Sequence, residues 1–234
     1  MTGHLSLPAL GLIALRVDET IERELGALLP PDKVRLHVSR IVSGDDLTPD
    51  SIADMEGALT GAAALLPPAA GFKVVGYGCT SATAQLGAEA VAARVHAGVQ
   101  TDHVTDPLSA AIRRLRTLNT ARIGIVSPYT SAVADGLVRA FEAAGIEVAA
   151  RSDMGIAEEA AVVRIPAERI TDAAHRLCDG ASIDALFLSC TNLNTTALQR
   201  PLSRALGLPI LSSNGCLAWD MARLAGMDLE QFQS

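Results

Sequence analysis

The sequence predicts an α/β fold of two pseudo-symmetric, doubly wound lobes, with parallel sheets and an active-site cleft between the lobes. Short apolar runs typical of buried strands alternate with longer helix-like stretches along the whole chain. Alternation of this kind indicates parallel sheets covered by helices on both faces. A second observation is internal symmetry, because Cys79 and Cys190 each follow an apolar run and each precede a threonine. The prediction assigns residues 1–105 and 208–234 to a first lobe carrying Cys79, and 106–207 to a second lobe carrying Cys190.

The first half of the chain is predicted to hold four strands and four helices. Ile21 and Leu25 share a face of the first helix, and Asp18 is expected to cap it. Thr48 and Pro49 open the second helix as a cap followed by a first-turn proline. The predicted strands are 10–15, 34–38, 73–77 and, more weakly, 101–104, and the predicted helices are 18–29, 48–66, 81–96 and 107–118.

The second half repeats this scheme. Gly145 and Gly207 each follow a helical stretch and are expected to end it, and Asn214 or Gly215 is expected to begin the last helix. The predicted strands are 123–127, 147–150, 185–189 and 210–211, and the predicted helices are 130–144, 166–178, 196–206 and a last one that runs to about 225.

Composition restricts the possible partners. The chain has 234 residues, of which 49% are hydrophobic and 19% charged, as in globular proteins. Its net charge of -7 argues against a nucleic-acid partner. The alanine-rich stretch 58–70 is broken by glycine and proline and is too short to span a membrane. Residues 1–15 lack the features of a signal peptide, so we expect a cytoplasmic protein.

The cysteines are expected to be free thiols, because a cytoplasmic chain keeps its thiols reduced. No C-x-x-C or H-x-x-x-H spacing suggests a metal site, and no glycine-rich phosphate-binding motif suggests a nucleotide. We therefore expect neither a metal nor a nucleotide cofactor. Cys178 and Cys216 are assigned to packing.

Cys79 and Cys190 are the candidate catalytic residues. A buried cysteine is commonly just a small apolar side chain. Here, however, both cysteines occupy equivalent strand ends, which favours function. Backbone N–H groups of a following helix would lower the thiol pKa and bind an anion. Two such thiols facing one substrate could act on one carbon from opposite sides.

Other candidates lie at neighbouring strand ends. The Ser-Pro-Tyr-Thr turn places the hydroxyls of Tyr129 and Thr130 towards the same cleft, unless it is an ordinary turn. Asp18 and the Glu158-Glu159 pair are either helix caps or substrate contacts. The histidines form no convincing triad, which leaves a Cys-His hydrolase as a weak alternative.

These motifs together resemble the maleate cis–trans isomerase and arylmalonate decarboxylase branch of the Asp/Glu racemase superfamily. The resemblance covers nearly the whole chain, and its motifs are 11–13 with Thr20 and Glu22, 78–81, 127–130, 155–156, 189–192 and 208–214. It implies two pseudo-symmetric Rossmann-like lobes, a cleft between them, no cofactor and a homodimer.

The family's chemistry divides by cysteine. Its amino-acid racemases use two thiols, one to remove the α-proton and the other to return a proton on the opposite face. Its maleate isomerases add one thiolate to the double bond, and its arylmalonate decarboxylases keep only the second cysteine. Because this chain has both Cys79 and Cys190, decarboxylation is the least expected of the three.

Two positions depart from the maleate isomerase pattern. Asp18 and Glu159 align where those enzymes carry amide side chains, with Glu158 as an alternative for the second position. A carboxylate would repel a dicarboxylate substrate but would hold an ammonium group. The resemblance therefore favours an amino or diamino acid derivative, as in the ectoine-utilisation subgroup.

The sequence thus predicts a cofactor-independent isomerase or racemase acting next to a carboxylate. Cys79 and Cys190 would be the acid/base or nucleophilic pair, and Tyr129 would hydrogen-bond the substrate. The carboxylate would bind backbone N–H groups and the side chains of Thr80, Ser81, Thr191 and Asn192. The alternatives are maleate isomerisation with Cys79 as nucleophile and a non-catalytic small-molecule binder.

Overall fold

Two parallel sheets form the framework of the molecule. A computed structural model describes residues 6–46 and 48–228, and within these the strands form two four-stranded sheets. The first sheet has the order β2-β1-β3-β4 and the second β6-β5-β7-β8. The strands are β1 (Ala9–Leu15), β2 (Arg35–Ile41), β3 (Phe72–Gly78), β4 (Thr101–Thr105), β5 (Arg122–Ser127), β6 (Glu147–Asp153), β7 (Ala185–Leu188) and β8 (Ile210–Ser212). This arrangement confirms the predicted α/β class.

Helices connect the strands and cover both sheets. The helices are α1 (Ile21–Leu28), α2 (Pro49–Ala64), α3 (Thr80–Leu86), α4 (Ala88–Gly98), α5 (Pro107–Thr117), α6 (Ser131–Ala143), α7 (Glu159–Val162), α8 (Ala167–Gly180), α9 (Thr196–Leu206) and α10 (Ser213–Leu224). A short 3₁₀ turn, Pro68–Ala70, precedes β3. Within the described part of the chain, no helix is long and apolar enough to cross a membrane.

The strand orders determine where the site lies. In each sheet the second strand along the chain lies on one side of the first strand, and the third lies on its other side. This switch in direction falls between β1 and β3 in the first sheet and between β5 and β7 in the second. A crevice opens at such a switch point, beyond the carboxyl ends of the two strands. One apolar cluster, which includes Ile13 of β1 and Phe187 of β7, runs through both sheets. The two crevices are therefore parts of one packed unit.

The structure corrects two predicted helices. The first begins at Ile21 rather than residue 18, and Thr20 is the N-cap residue. The predicted helix 81–96 is two helices, because Gly87 has a φ of 86° that interrupts the helical path. Alanine-rich sequence on both sides conceals this break. Helix α7 was not predicted, since its four residues are too short to show a helical period.

The last crossover joins the two sheets. Strand β8 pairs with β7, so the second sheet extends to Ser212, beyond the predicted lobe end at residue 207. The next helix, α10, packs against α1 of the predicted first lobe and against α5, which the prediction assigns to the second lobe. The chain therefore passes between the sheets at residues 212–213, while the division into lobes stays a prediction.

Candidate active site

Cys79 lies at the switch point of the first sheet. It directly follows β3, is 4% exposed, and forms the N-cap of α3. The Ala82 N–H donates to its Sγ at 3.4 Å, and the Ser81 hydroxyl lies 3.6 Å from the same sulfur. Because the strand delivers the chain straight into a helix, the thiol sits at the positive end of that helix, as predicted.

Cys190 lies at the matching position after β7, in different local structure. It is 4% exposed, and its φ of 101° is uncommon for a residue with a side chain. The helix after it begins at Thr196, as predicted, but residues 191–195 form turns and loop before α9, so no helix start directly follows the sulfur. The backbone N–H of Asn192 donates towards the sulfur, as an N–H group at a helix start would.

Ser213 joins the two cysteine motifs. Its hydroxyl accepts the Cys190 N–H at 3.0 Å and lies 2.8 Å from the Thr80 hydroxyl. The Thr191 hydroxyl donates to the Gly78 carbonyl at 3.2 Å. The two symmetric Cys-Thr segments thus contact each other directly, and the hydroxyls of Thr80 and Thr191 hold this contact. The role of Ser213 could not be predicted from the sequence, because it depends on contacts between residues far apart in the chain.

Asp18 is buried beside both thiols. It is 2% exposed, and its Oδ1 accepts the N–H groups of Thr20 and Ile21, each at 2.8 Å. It therefore caps α1 from outside the helix rather than as its N-cap. Among the described residues no hydrogen-bond partner reaches its Oδ2 atom. Burial raises the pKa of this carboxyl, although the hydrogen bonds from the two backbone N–H groups lower it.

Glu159 is the second buried carboxyl. It is 4% exposed, whereas Glu158 is exposed, so Glu159 is the member of the pair that enters the site. Asn192 Nδ2 donates to its Oε2 at 3.2 Å and to its carbonyl at 3.1 Å. Burial, together with the charge of Asp18, raises the pKa of Glu159 to about 7, although the hydrogen bond from Asn192 lowers it. The opposite end of the Asn192 amide accepts the Glu19 N–H at 2.9 Å, which ties the two lobes together.

The expected lowering of the thiol pKa values is wrong for the unliganded chain. Burial raises the pKa of Cys79 to about 12, although the Ala82 N–H and the Ser81 hydroxyl oppose this, and nearby Glu159 and Asp18 add to it. Burial also raises the pKa of Cys190 well above its ordinary value, and Glu159 and Asp18 again contribute. Desolvation and two neighbouring carboxyls therefore outweigh the local N–H groups.

The tyrosines of the site are also buried. Tyr129 is 1% exposed, and the Ser189 hydroxyl donates to its oxygen at 3.4 Å. Burial raises its pKa, and the charge of Cys190 adds to this. Tyr77, which the sequence did not suggest, is fully buried, and burial together with the nearby Cys79 raises the pKa of its phenol. Thr130 is half-buried at the N-cap of α6 and makes no capping hydrogen bond.

The space beside Cys79 is nearly closed. A cavity of about 10 Å³, bounded by Cys79, Ser81 and Glu159, holds about one water. Residues 43–46 cover it, and the Glu159 N–H donates to the Asp45 carbonyl at 3.0 Å. A substrate needs more space than this cavity offers, so we expect the covering residues to move when it enters. No group of three or more side chains in residues 6–46 and 48–228 is arranged to hold a metal ion.

A buried brace supports the loop after Cys190, and the sequence did not suggest it. Glu24 Oε1 accepts the N–H groups of Thr195 and Thr196, at 2.8 and 2.9 Å. Its Oε2 accepts Asn214 Nδ2 at 2.8 Å, and the same amide nitrogen donates to the Thr191 carbonyl at 2.8 Å. One carboxylate of α1 thus fixes the loop that carries the second thiol.

Comparison with known proteins gives the same outline. The chain is 27% identical to a maleate isomerase of Nocardia farcinica, over 92% of this chain and 88% of that protein. The crystal structure of the maleate isomerase Iso from Pseudomonas putida S16 superposes with a TM-score of 0.84 at 22% identity, covering 95% and 94% of the two chains. A Nocardia farcinica maleate cis–trans isomerase variant with a covalently bound succinylcysteine intermediate superposes with a TM-score of 0.82 at 24% identity, covering 95% and 94%.

The family profile described as arylmalonate decarboxylase matches residues 45–233. This span contains both cysteine motifs, Tyr129 and Glu159, which are the residues that meet in the site. The chain therefore belongs to the arylmalonate decarboxylase family, in the branch of the Asp/Glu racemase superfamily that includes the maleate isomerases.

Proposed function

We propose that the chain is a cofactor-independent isomerase that uses Cys79 and Cys190 on a small carboxylate substrate. The observation that carries this proposal is that both thiols, at equivalent strand ends, interact electrostatically with each other and with the same two carboxyls. A related maleate isomerase has been captured with a covalently bound succinylcysteine, which supports thiol chemistry in this family.

The favoured substrate carries an ammonium group as well as a carboxylate. Asp18 Oδ2 is buried and accepts no hydrogen bond from the described residues. Glu159 lies close enough that the Asp18 charge, after burial, raises the Glu159 pKa. A cation bound between the two carboxyls would complete the hydrogen bonding of Asp18 Oδ2. It would also offset the contribution of the two carboxyl charges to the thiol pKa values, which burial raises most. Amino and diamino acid derivatives, including those of ectoine utilisation, meet this requirement.

In this mechanism substrate binding favours formation of the thiolate. One cysteine, as thiolate, takes the α-proton, so that a C–H bond breaks and an S–H bond forms. The other cysteine, as thiol, then returns a proton to the opposite face. Backbone N–H groups at the start of α3 are without partners inside the helix and would stabilise the enolate-like charge between the two steps. Tyr129 would donate a hydrogen bond to the substrate carboxylate.

The test is proton NMR of the protein in D₂O with amino acids, diaminobutyrate derivatives and maleate. The expected result is exchange of an α-proton for deuterium in an ammonium-bearing substrate. Cys79→Ser and Cys190→Ser are each expected to slow this exchange by about 10² to 10⁴-fold, the usual contribution of a positioned acid or base. Near-normal exchange in both variants would overturn the proposal.

Maleate isomerisation is the second candidate. It is favoured by the maleate isomerase relative and by Glu159, which at a pKa of about 7 is partly protonated and could donate a hydrogen bond to a substrate carboxylate. Cys79 would then add to the double bond and form a succinyl adduct. Intact-mass measurement after incubation of Cys190→Ser with maleate tests this, since the adduct adds the mass of maleate to the chain.

Asp18→Asn distinguishes the two candidates. Removal of this carboxylate is expected to raise KM for an ammonium substrate about 100-fold, because a buried charge partner is lost. For maleate the same change replaces repulsion with hydrogen bonding, so KM is expected to fall. Glu22→Gln is the matched control, because Glu22 lies in the same segment but is exposed and pairs with Arg40.

A further inference from the structure

A second cavity lies behind the first turn of α10. Its volume is about 240 Å³, and residues of α1, α5, α9, β8 and α10 line it. This space corresponds to about eight waters, which is enough for a small organic molecule. None of the residues that line it also lines the small cavity beside Cys79. It is therefore a separate site.

One side of this cavity is electropositive. Arg114 and Arg200 both line it, and the Arg114 guanidinium lies 5.0 Å from the centre of the Trp219 ring. Gly215 and Cys216 bring the first turn of the twelve-residue helix α10 to the same space, and with it the positive end of the helix dipole. None of the described residues that line the cavity carries a carboxyl group. An anion is thus the favoured occupant.

Two buried polar groups at the cavity have no hydrogen-bond partner. Trp219 is 3% exposed, and no described residue accepts a hydrogen bond from its Nε1. The hydroxyl of Thr196 is likewise buried and without a partner in the described chain. A buried donor without an acceptor costs free energy, and a ligand with acceptor oxygens would recover it.

The remaining wall is apolar. Leu28, Ile210 and Leu211 line it, and the two β8 residues are buried. A bare inorganic anion would leave this wall without contact. A carboxylate attached to a short hydrocarbon chain would fill it and bury apolar surface.

We propose that this cavity binds a small carboxylate with a short apolar tail. The carboxylate lies between Arg114 and Arg200 and accepts the Trp219 Nε1–H, and the tail packs on Leu28 and the two β8 residues. The proposal is independent of the thiol chemistry, because it concerns a different cavity.

Trp219 gives a direct test, because it is the only tryptophan of the chain. Its fluorescence is followed during titration with 3-methylbutanoate, with the neutral 3-methylbutanamide and with inorganic phosphate. We expect a saturable change with the carboxylate, and binding at least about tenfold weaker for the amide, because charge-assisted hydrogen bonds are lost. Equal binding of the amide would contradict an anion site, and tighter binding of phosphate would contradict the apolar tail.

Charge-removing variants complete the test. Arg200→Gln and Arg114→Gln are each expected to weaken carboxylate binding about tenfold, whereas Arg139→Gln, on α6 and outside the cavity, is expected to bind as the wild type does. Arg200 is exposed, so its replacement is expected to change the stability of the fold little. Trp219→Phe, followed by calorimetry, is expected to bind more weakly. Unchanged affinity in both cavity variants would overturn the proposal.

Discussion

Glu159 shows how one side chain can link the chemistry of the site to pH. It lies within the electrostatic range of both thiols and of Asp18, and it shares a hydrogen bond with Asn192. At a pKa of about 7 it changes charge near neutrality, whereas its ordinary value is 4.5. When it loses its proton, the added negative charge opposes thiolate formation. A bound cation would reverse this effect.

The raised pKa of Glu159 predicts a pH-dependent loss of stability. A carboxyl whose folded pKa exceeds its unfolded value stabilises the fold below the unfolded value, and this contribution is lost as pH rises through the folded value. The stabilisation is therefore lost between pH 4.5 and about pH 7. In full it amounts to about 3 kcal/mol of unfolding free energy at most. Relative to Glu159→Gln, the wild type is expected to lose this free energy of unfolding between pH 4.5 and 8.

Urea unfolding of the two proteins at pH 4.5 and pH 8 measures the difference. Glu158→Gln is the matched control, because Glu158 is adjacent but exposed, and its difference from the wild type is expected to stay constant with pH. A constant difference for Glu159→Gln as well would show that Glu159 has an ordinary pKa in the folded chain.

At the scale of single elements, Glu24 on α1 connects three separate parts of the chain. Its carboxylate accepts the two N–H groups at the start of α9 and the amide of Asn214 in α10. These contacts fix the short loop of residues 191–195, which joins Cys190 to α9. The strained backbone of Cys190 depends on such support from its surroundings.

Glu24→Gln is expected to destabilise the fold by about 2 to 4 kcal/mol. A glutamine must turn its NH₂ group towards either the α9 N–H groups or the Asn214 amide, which leaves buried donors facing each other. Chemical denaturation measures the loss, and exposed Glu22→Gln is expected to cost less than about 1 kcal/mol. A similar small loss for both variants would show that Glu24 is not a brace.

Gly87 determines the break between α3 and α4. Its φ of 86° is costly for any residue with a Cβ atom, so Gly87→Ala is expected to destabilise the fold by about 1 kcal/mol or more. Gly61→Ala in α2 is the matched control, because open space surrounds that position, and it is expected to stabilise by about 0.5 to 1 kcal/mol. Thermal unfolding tests this, because Tm is expected to fall for Gly87→Ala and to rise for Gly61→Ala.

The sequence predicted the strand ends well and the contacts between them poorly. Cys79 and Cys190 were found because buried parallel strands show as continuous apolar runs, and the residue after each run lies at the sheet edge. Glu24 was missed because its partner Asn214 is 190 residues away, and no local pattern marks such a contact. The thiol pKa values were wrong for the same reason, since burial and the charges of Asp18 and Glu159 arise only in the assembled fold.

At the scale of the whole molecule, access to the thiols depends on both lobes. The segment 43–46 follows β2 of the first sheet, yet it meets the loop before α7 of the second, where Asp46 and Glu158 form an isolated β-bridge. These contacts leave only about 10 Å³ beside Cys79. Opening of the site therefore means separating this segment from α7.

Arg16 is expected to control how often the segment 43–46 moves away from the cavity beside Cys79. Its guanidinium pairs with Asp45 at 2.7 Å and donates to the Ser43 carbonyl at 3.2 Å, which holds the segment over the cavity. Since both partners are exposed, the pair contributes at most about 1 kcal/mol. Arg16→Gln is expected to raise the rate of Cys79 alkylation by iodoacetamide up to about fivefold.

Mass spectrometry of the alkylated peptides separates Cys79 from the other thiols. Cys178, which is half-buried, supplies an internal reference whose rate is expected to be the same in both proteins. Arg23→Gln, a change at another exposed arginine nearby, is expected to leave the Cys79 rate unchanged. If Arg16→Gln also left the Cys79 rate unchanged, the segment 43–46 would not limit access to the thiol. The reagent would then reach Cys79 by a wider separation of the two lobes. The contacts of Asn192 with Glu19 and of Ser213 with Thr80 oppose such a separation.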